Sequence, residues 1–192
     1  MHDHLEPVEG FFSASHHAYH ARVRETLLAD FSSEPLAGLV VLPSFEPEHA
    51  LWIGKDWRRY YAVYRIGRSS IWQALQNPLA PAVTFSTHNA ELPAGLAKAL
   101  EALFWAALGQ TRYYNQRGIR LDGTAYYATA WQQGRGSRTG QTWSPASLSK
   151  LGDLVALAES LIQQLINPVD NPSRWAELTE SAVGLRAKFS PA

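Results

Sequence analysis

The chain has 192 residues, with 17 Lys and Arg balanced by 17 Asp and Glu, 46% hydrophobic and 11% aromatic residues, and no Cys. This content excludes a disordered chain, and the length suffices for one domain with a sizeable core. Zero cysteine removes disulfides, thiolate metal ligands and thiol nucleophiles, and zero net charge argues against a general nucleic-acid binder, which needs a basic excess.

The neutrality conceals an uneven distribution. Residues 1–50 carry eight acidic and two basic side chains, residues 51–150 twelve basic and four acidic, and residues 151–192 five acidic and three basic. If these charges segregate in space, the molecule presents opposed faces able to steer a charged partner. Thirteen of the basic residues are Arg, whose planar fork suits carboxylates and stacks on aromatics.

In chain order, residues 1–12 read as a polar N-terminal arm, followed by a helix from about His16 to Ala29 capped by Ser13 or Ser15. Ser32 to Pro35 breaks it. The apolar run Leu39 to Leu42, closed by Pro43, reads as a buried strand, and His49 to Gly54 as a second. Lys55-Asp56-Trp57 turns into the alternating strand Arg59 to Ile66. Ser69 to Leu75 and Ala82 to His88 suggest two further strands, with Ile71 to Leu75 able to be helical instead. Leu96, Leu100, Leu103, Phe104 and Ala107 mark a helix over 93–109, and Asp122-Gly123 a tight turn into the strand Thr124 to Gln132. Gly134 to Thr142 reads as a glycine-rich hairpin loop. An amphipathic helix spans Leu148 to Ile166, and a last one, capped by Ser173, runs to about Lys188. Short turns between strands imply antiparallel pairing. The expected fold is therefore one α+β domain over 1–192, with a curved antiparallel sheet of five or six strands, an N-terminal helix, one inserted helix and two C-terminal helices.

No secretory n-region or h-region precedes the domain and no membrane-length apolar run occurs, so the expected setting is cytoplasmic, or periplasmic if a leader was trimmed. No motif calls for a cofactor, and the sequence leaves the oligomeric state open.

The chemistry-bearing candidates are few. In a phosphate-cradling loop four residues separate the glycines and Lys follows; here three residues separate Gly136 from Gly140, and Gln141 stands in the lysine position. His16 and His20 have the i, i+4 spacing that lets two imidazoles share a metal, but no Glu follows His16, and the segment reads first as a solvated polar stretch. Glu46 and Glu48 alternate around Pro47 and form the best acid/base cluster, their carboxylates on one side of an extended chain. His88 with Ser86 and Asp122 nominally supplies a Ser/His/Asp set, but no nucleophile elbow is present.

The remaining signal is aromatic and arginine-rich. Arg58, Arg59, Tyr61, Arg112, Tyr127, Trp131, Arg135 and Arg138 have the composition of a binding surface. The expected function is a non-enzymatic bacterial binding protein of the immunity or inhibitor type, recognising a protein partner. The alternatives are a metal-dependent or acid/base hydrolase, and a small-ligand carrier with a cavity between sheet and helices lined by Tyr64, Trp131 and Leu154.

Overall fold

In the computed structural model, residues 3–8, 17–77, 79–113, 122–168 and 172–190 are described. The elements are β1 (Glu6–Pro7), α1 (Ala18–Val23) continuing as a π-helical segment (Arg24–Leu28), β2 (Ala37–Pro43), β3 (His49–Lys55), β4 (Tyr60–Gly67), α2 (Ile71–Gln76), β5 (Phe85–Leu92), α3 (Ala94–Gly109), β6 (Thr124–Gln132), β7 (Gly136–Trp143), α4 (Lys150–Ile166) and α5 (Pro172–Lys188). The strands form one antiparallel sheet in the order β1-β7-β6-β2-β3-β4-β5.

Strand side chains alternate between two faces, and both faces of this sheet are covered at its centre. Leu39, Val41, Leu51, Ile53, Ala62, Tyr64, Ala128 and Ala130 point to the first face, where they meet Leu96, Leu100, Leu103 and Phe104 of α3, Leu154, Leu161 and Ile162 of α4, and Leu178 and Leu185 of α5. Val40, Leu42, Ala50 and Tyr127 point to the second face, under Val23 of α1, Leu27 of the π segment and Ile71 of α2. Two-sided burial explains why β2 reads as an unbroken apolar run rather than an alternating one.

The α+β class and the antiparallel sheet agree with the sequence reading, and the strand Thr124–Gln132 and the helix ending at Gly109 fall where expected. Other expectations are corrected. Gly134 to Thr142 is not a loop: Gly134 and Gly136, at φ 75° and 74°, make a tight turn and β7 follows, so that β7 and β1 bring the sheet to seven strands among the described residues. The N-terminal arm is not merely polar, since Leu5 is buried against the first-face core and Glu6 and Pro7 pair with Gln141 and Gly140. Ser69 to Leu75 is not a strand; Ser70 accepts from the Gln73 N–H at 3.3 Å and caps α2. The strand expected at Ala82 to His88 lies further along, at Phe85–Leu92. Leu148 is exposed and precedes α4, which Ser149 caps. Ser13 and Ser15 lie outside the described residues, and α1 begins after His17.

Candidate functional site

The β3–β4 turn is built by Asp56, whose carboxylate accepts the backbone N–H of Arg58 at 2.9 Å and of Arg59 at 2.7 Å, an Asx-type turn. Those two bonds hold the Asp56 carboxyl below its ordinary pKa. The turn lifts Trp57 into solvent, 85% exposed, with the Arg58 guanidinium 4.7 Å from its ring centroid. Arg59 reaches Glu91 of β5 at 3.5 Å, and Lys55 sits over the Tyr60 ring at 5.3 Å.

Register places other candidates at the same end of the sheet. Tyr61 pairs with Gly54, and its ring occupies the space a Cβ there would fill, 2.4 Å away. The backbone N–H of Trp131 donates to Pro35 at 2.8 Å, and the turn after β6 carries Arg135 beside Gln132. Arg58, Arg59 and Tyr61, together with Trp57 and Lys55, thus form an aromatic and cationic rim at the β3–β4 turn, and Trp131 and Arg135 lie toward the β6–β7 turn at the same end of the sheet.

Three predicted binding residues are elsewhere. Tyr127 is buried in the second-face core, 5.6 Å from the His20 ring. Arg138 lies on the first face, its guanidinium 4.4 Å from the Trp105 ring of α3. Arg112 follows α3 and donates its backbone N–H to Leu5, near the β1 edge.

Next to the rim a groove of about 700 Å³ opens between the π segment and the second face. Arg24, Glu25 and Leu28 form one wall, Phe31, Ser32, Ser33 and Pro35 another, and Trp52, Thr129, Ser137 and Thr139 the floor. Trp52 fits there because Gly38 leaves room for its ring, which stands 2.6 Å from where a Cβ would lie. Its indole N–H donates to the Ser32 carbonyl at 3.1 Å, fixing the floor to the wall. The cavity expected between sheet and helices has a different geometry: Tyr64 and Leu154 belong to the packed first-face core, while Trp131 lies at the rim of the second face.

The acid/base candidates do not converge. Glu46 is exposed, whereas Glu48 is completely buried, so the proposed carboxylate pair is split. Glu48 accepts from the Tyr19 hydroxyl at 2.7 Å, from the Ile71 N–H at 2.7 Å, from the Trp72 N–H at 3.0 Å and from Ser70 at 3.3 Å. Its charge is spent on the start of α2 and on α1, and burial followed by this bond raises the Tyr19 phenol far above its ordinary pKa. Ser86 and His88 sit on β5 and Asp122 before β6, four strand spacings or about 19 Å apart across the sheet.

His16 lies outside the described residues. His20 packs on Tyr127, and burial, then His17 and Arg24, hold its imidazole below the ordinary value. Among the described residues no three His, Cys, Asp or Glu side chains are grouped to hold a metal ion.

Sequence reasoning missed Arg65. It sits on β4, 6% exposed, donating to the Leu27 carbonyl at 3.1 Å and lying between the rings of Phe31 and Phe85, 4.6 and 4.4 Å away. Nothing in an alternating strand marks one arginine as buried; only the helix end above it does. Arg65 also meets Asp30 at 3.5 Å, and Asp3 accepts the Lys150 backbone N–H at 3.0 Å, so these two acidic residues of the N-terminal quarter contact the middle segment.

No helix among the described residues is long and apolar enough to cross a membrane. In comparisons with known proteins, no family, no curated protein and no solved structure matches the chain.

Proposed function

We propose that the chain is a non-enzymatic binding protein of the immunity or inhibitor kind, which engages a protein partner through the rim at the β3–β4 turn. The observation that carries this reading is Trp57, 85% exposed on a turn held by Asp56 and stacked by Arg58. Exposing a large indole to water is unfavourable in the free protein, and Trp with Arg is the pairing that dominates interface energetics. Arg58 has no carboxylate within ion-pairing distance among the described residues, so its charge is available to an acidic group on the partner. The reading rests on this local turn and not on a separation of the chain's charges.

The test is capture of a stoichiometric protein from the source cell by the immobilised chain, followed by titration of that partner. Trp57→Ala and Arg58→Glu are each expected to weaken binding by roughly tenfold or more, with the urea midpoint unchanged because both side chains are exposed. Binding should also weaken as salt rises. A chain that emerges alone at low salt, or a Trp57→Ala variant that binds like the parent, refutes the reading.

The groove of about 700 Å³ favours a second reading, that of a small-ligand carrier, since it lies within the size range of small-molecule sites and joins Trp52 and Phe31 to several hydroxyls. Native mass spectrometry of the freshly purified chain checks it: a copurifying small molecule lost on Thr129→Trp supports the reading, and a bare chain opposes it. Nothing in the geometry favours the hydrolase alternative.

A further inference from the structure

The sheet ends in two very unlike edges. On one side β1 is two residues long and contains Pro7, which has no N–H to offer a further strand. On the other side β5 runs eight residues, and among the described residues its only strand partner is β4.

Which groups β5 leaves free follows from the ladder. The Arg68 N–H donates to Thr84 at 2.8 Å, so that pair is hydrogen-bonded. Alternation along the register then makes Ile66–Ser86, Tyr64–His88, Ala62–Ala90 and Tyr60–Leu92 the hydrogen-bonded pairs. The bond from the Gly67 N–H to Glu48 agrees, because it commits the odd residues of β4 to β3 and leaves the even ones for β5. Phe85, Thr87, Asn89 and Glu91 therefore direct their N–H and C=O groups away from the sheet, and all four are exposed. No Lys, Pro or bulge blunts this stretch, the devices by which open edges are usually protected.

We infer that β5 pairs with β5 of a second copy of this chain, antiparallel about a two-fold axis normal to the sheet, making one continuous sheet of 14 strands from two of seven. The strand's own sequence selects both occupant and register. When Phe85 faces Glu91 of the second copy and Thr87 faces Asn89, all four outward residues of each strand are used and no like charges are opposed. Sliding one step in one direction brings in Pro93, which lacks a donor, and sliding in the other leaves Glu91 unpaired. The helical layers of the two copies stay on matching sides. Because the β1 edge offers so little backbone, association closes at two instead of propagating.

In this register His88 faces itself as a non-hydrogen-bonded pair, with Cα atoms about 4.5 Å apart, within disulfide reach. The chain has no cysteine, so His88→Cys creates a single reporter. Oxidation is expected to convert it to a covalent dimer, whereas Asn89→Cys, which faces Thr87 of the other copy, cross-links at least tenfold more slowly. Light scattering of the parent chain should give twice the 21.3 kDa chain mass as concentration rises. Thr87→Pro removes an outward N–H and no β4 bond; it should leave the circular dichroism intact and move dimerisation to at least tenfold higher concentration. A chain that remains monomeric to about 100 μM, or a Thr87→Pro variant that dimerises like the parent, overturns the inference, including the case in which a foreign strand occupies this edge. The mass measurement decides the matter even if His88→Cys fails to fold.

Discussion

Glu48 shows how one buried charge is sustained at the residue scale. A carboxylate removed from water costs several kcal/mol unless donors replace its hydration. Here four donors do so: one phenol, one hydroxyl and the first N–H groups of α2, which no helical carbonyl can satisfy. Glu48→Ala leaves the Tyr19 hydroxyl and two backbone N–H groups without their acceptor and should lower stability by about 2–4 kcal/mol in urea denaturation. Tyr19→Phe removes one of those bonds and should cost about 1–2 kcal/mol. The motif Glu46-Pro47-Glu48-His49 does stand out in the sequence, but its chemistry depends on depth. Both glutamates are equivalent as letters, and only the layer above β3 makes one a solvent-exposed group and the other a buried anchor.

At the scale of elements, the second-face helices are too short to be stable alone and are held by side chains from the sheet. Glu48 grips the start of α2, and Arg65 grips the end of the π segment through the Leu27 carbonyl, so sheet charges complement both helix termini. The first-face helices rely on packing and on their own caps. Ser149, only 7% exposed, accepts the Gly152 N–H at 2.9 Å and donates to Ala146 at 2.7 Å. Ser149→Ala should therefore cost about 1–2 kcal/mol, seen as a lower urea midpoint with an unchanged slope. Long apolar periodicity made α3 and α4 legible from sequence, since Leu151, Leu154, Ala158, Leu161 and Leu165 recur on one stripe. The helix at Ile71 was ambiguous because six residues contain less than two turns of pattern, and the cap bond from Ser70 decides it. β7 was missed because Gly-Ser-Arg-Thr-Gly lacks the apolar alternation of a strand; its backbone pairs with β6 while its first residues stay exposed and most of the rest are half-buried.

At the scale of the whole molecule, two layers of unequal thickness cover one sheet, and a half-buried histidine lies under each. His49 packs edge-on against Tyr64 at 5.6 Å, and burial holds its imidazole below the ordinary value despite its bond to Pro47 and the nearby Glu46 and Glu48. The same burial pushes the Tyr64 phenol up to about 12. His20, under the other layer, is also lowered by burial. For a base whose folded pKa is depressed, the unfolded chain binds the extra proton, so stability is complete above about pH 6.5 and falls as pH drops through the folded pKa. His49 should account for most of the stability lost in that window, with a smaller part from the more exposed His20. Urea titrations at pH 7.5 and 5.5 measure this loss, and His49→Asn should flatten it. An unchanged slope in that variant would place the acid sensitivity elsewhere.

The sequence by itself determined the class of fold, the antiparallel pairing and the main helices, because period 2 and period 3.6 burial are written locally in the order of residues. It also marked Arg58, Arg59, Tyr61, Trp131 and Arg135 as having a binding composition, and strand register puts these five at the same end of the sheet. Only the tertiary structure decided which of the eight candidates share that end, that Glu48 and Arg65 are internal anchors, and that among the described residues β5 is a long edge strand while the far edge is the two-residue β1. Those properties depend on strand order and on which layer covers each face, and they join residues distant along the chain, such as Tyr19 to Glu48 and Leu27 to Arg65. Short-range periodicity carries no information about such pairings; the burial of one charge against a distant helix end does.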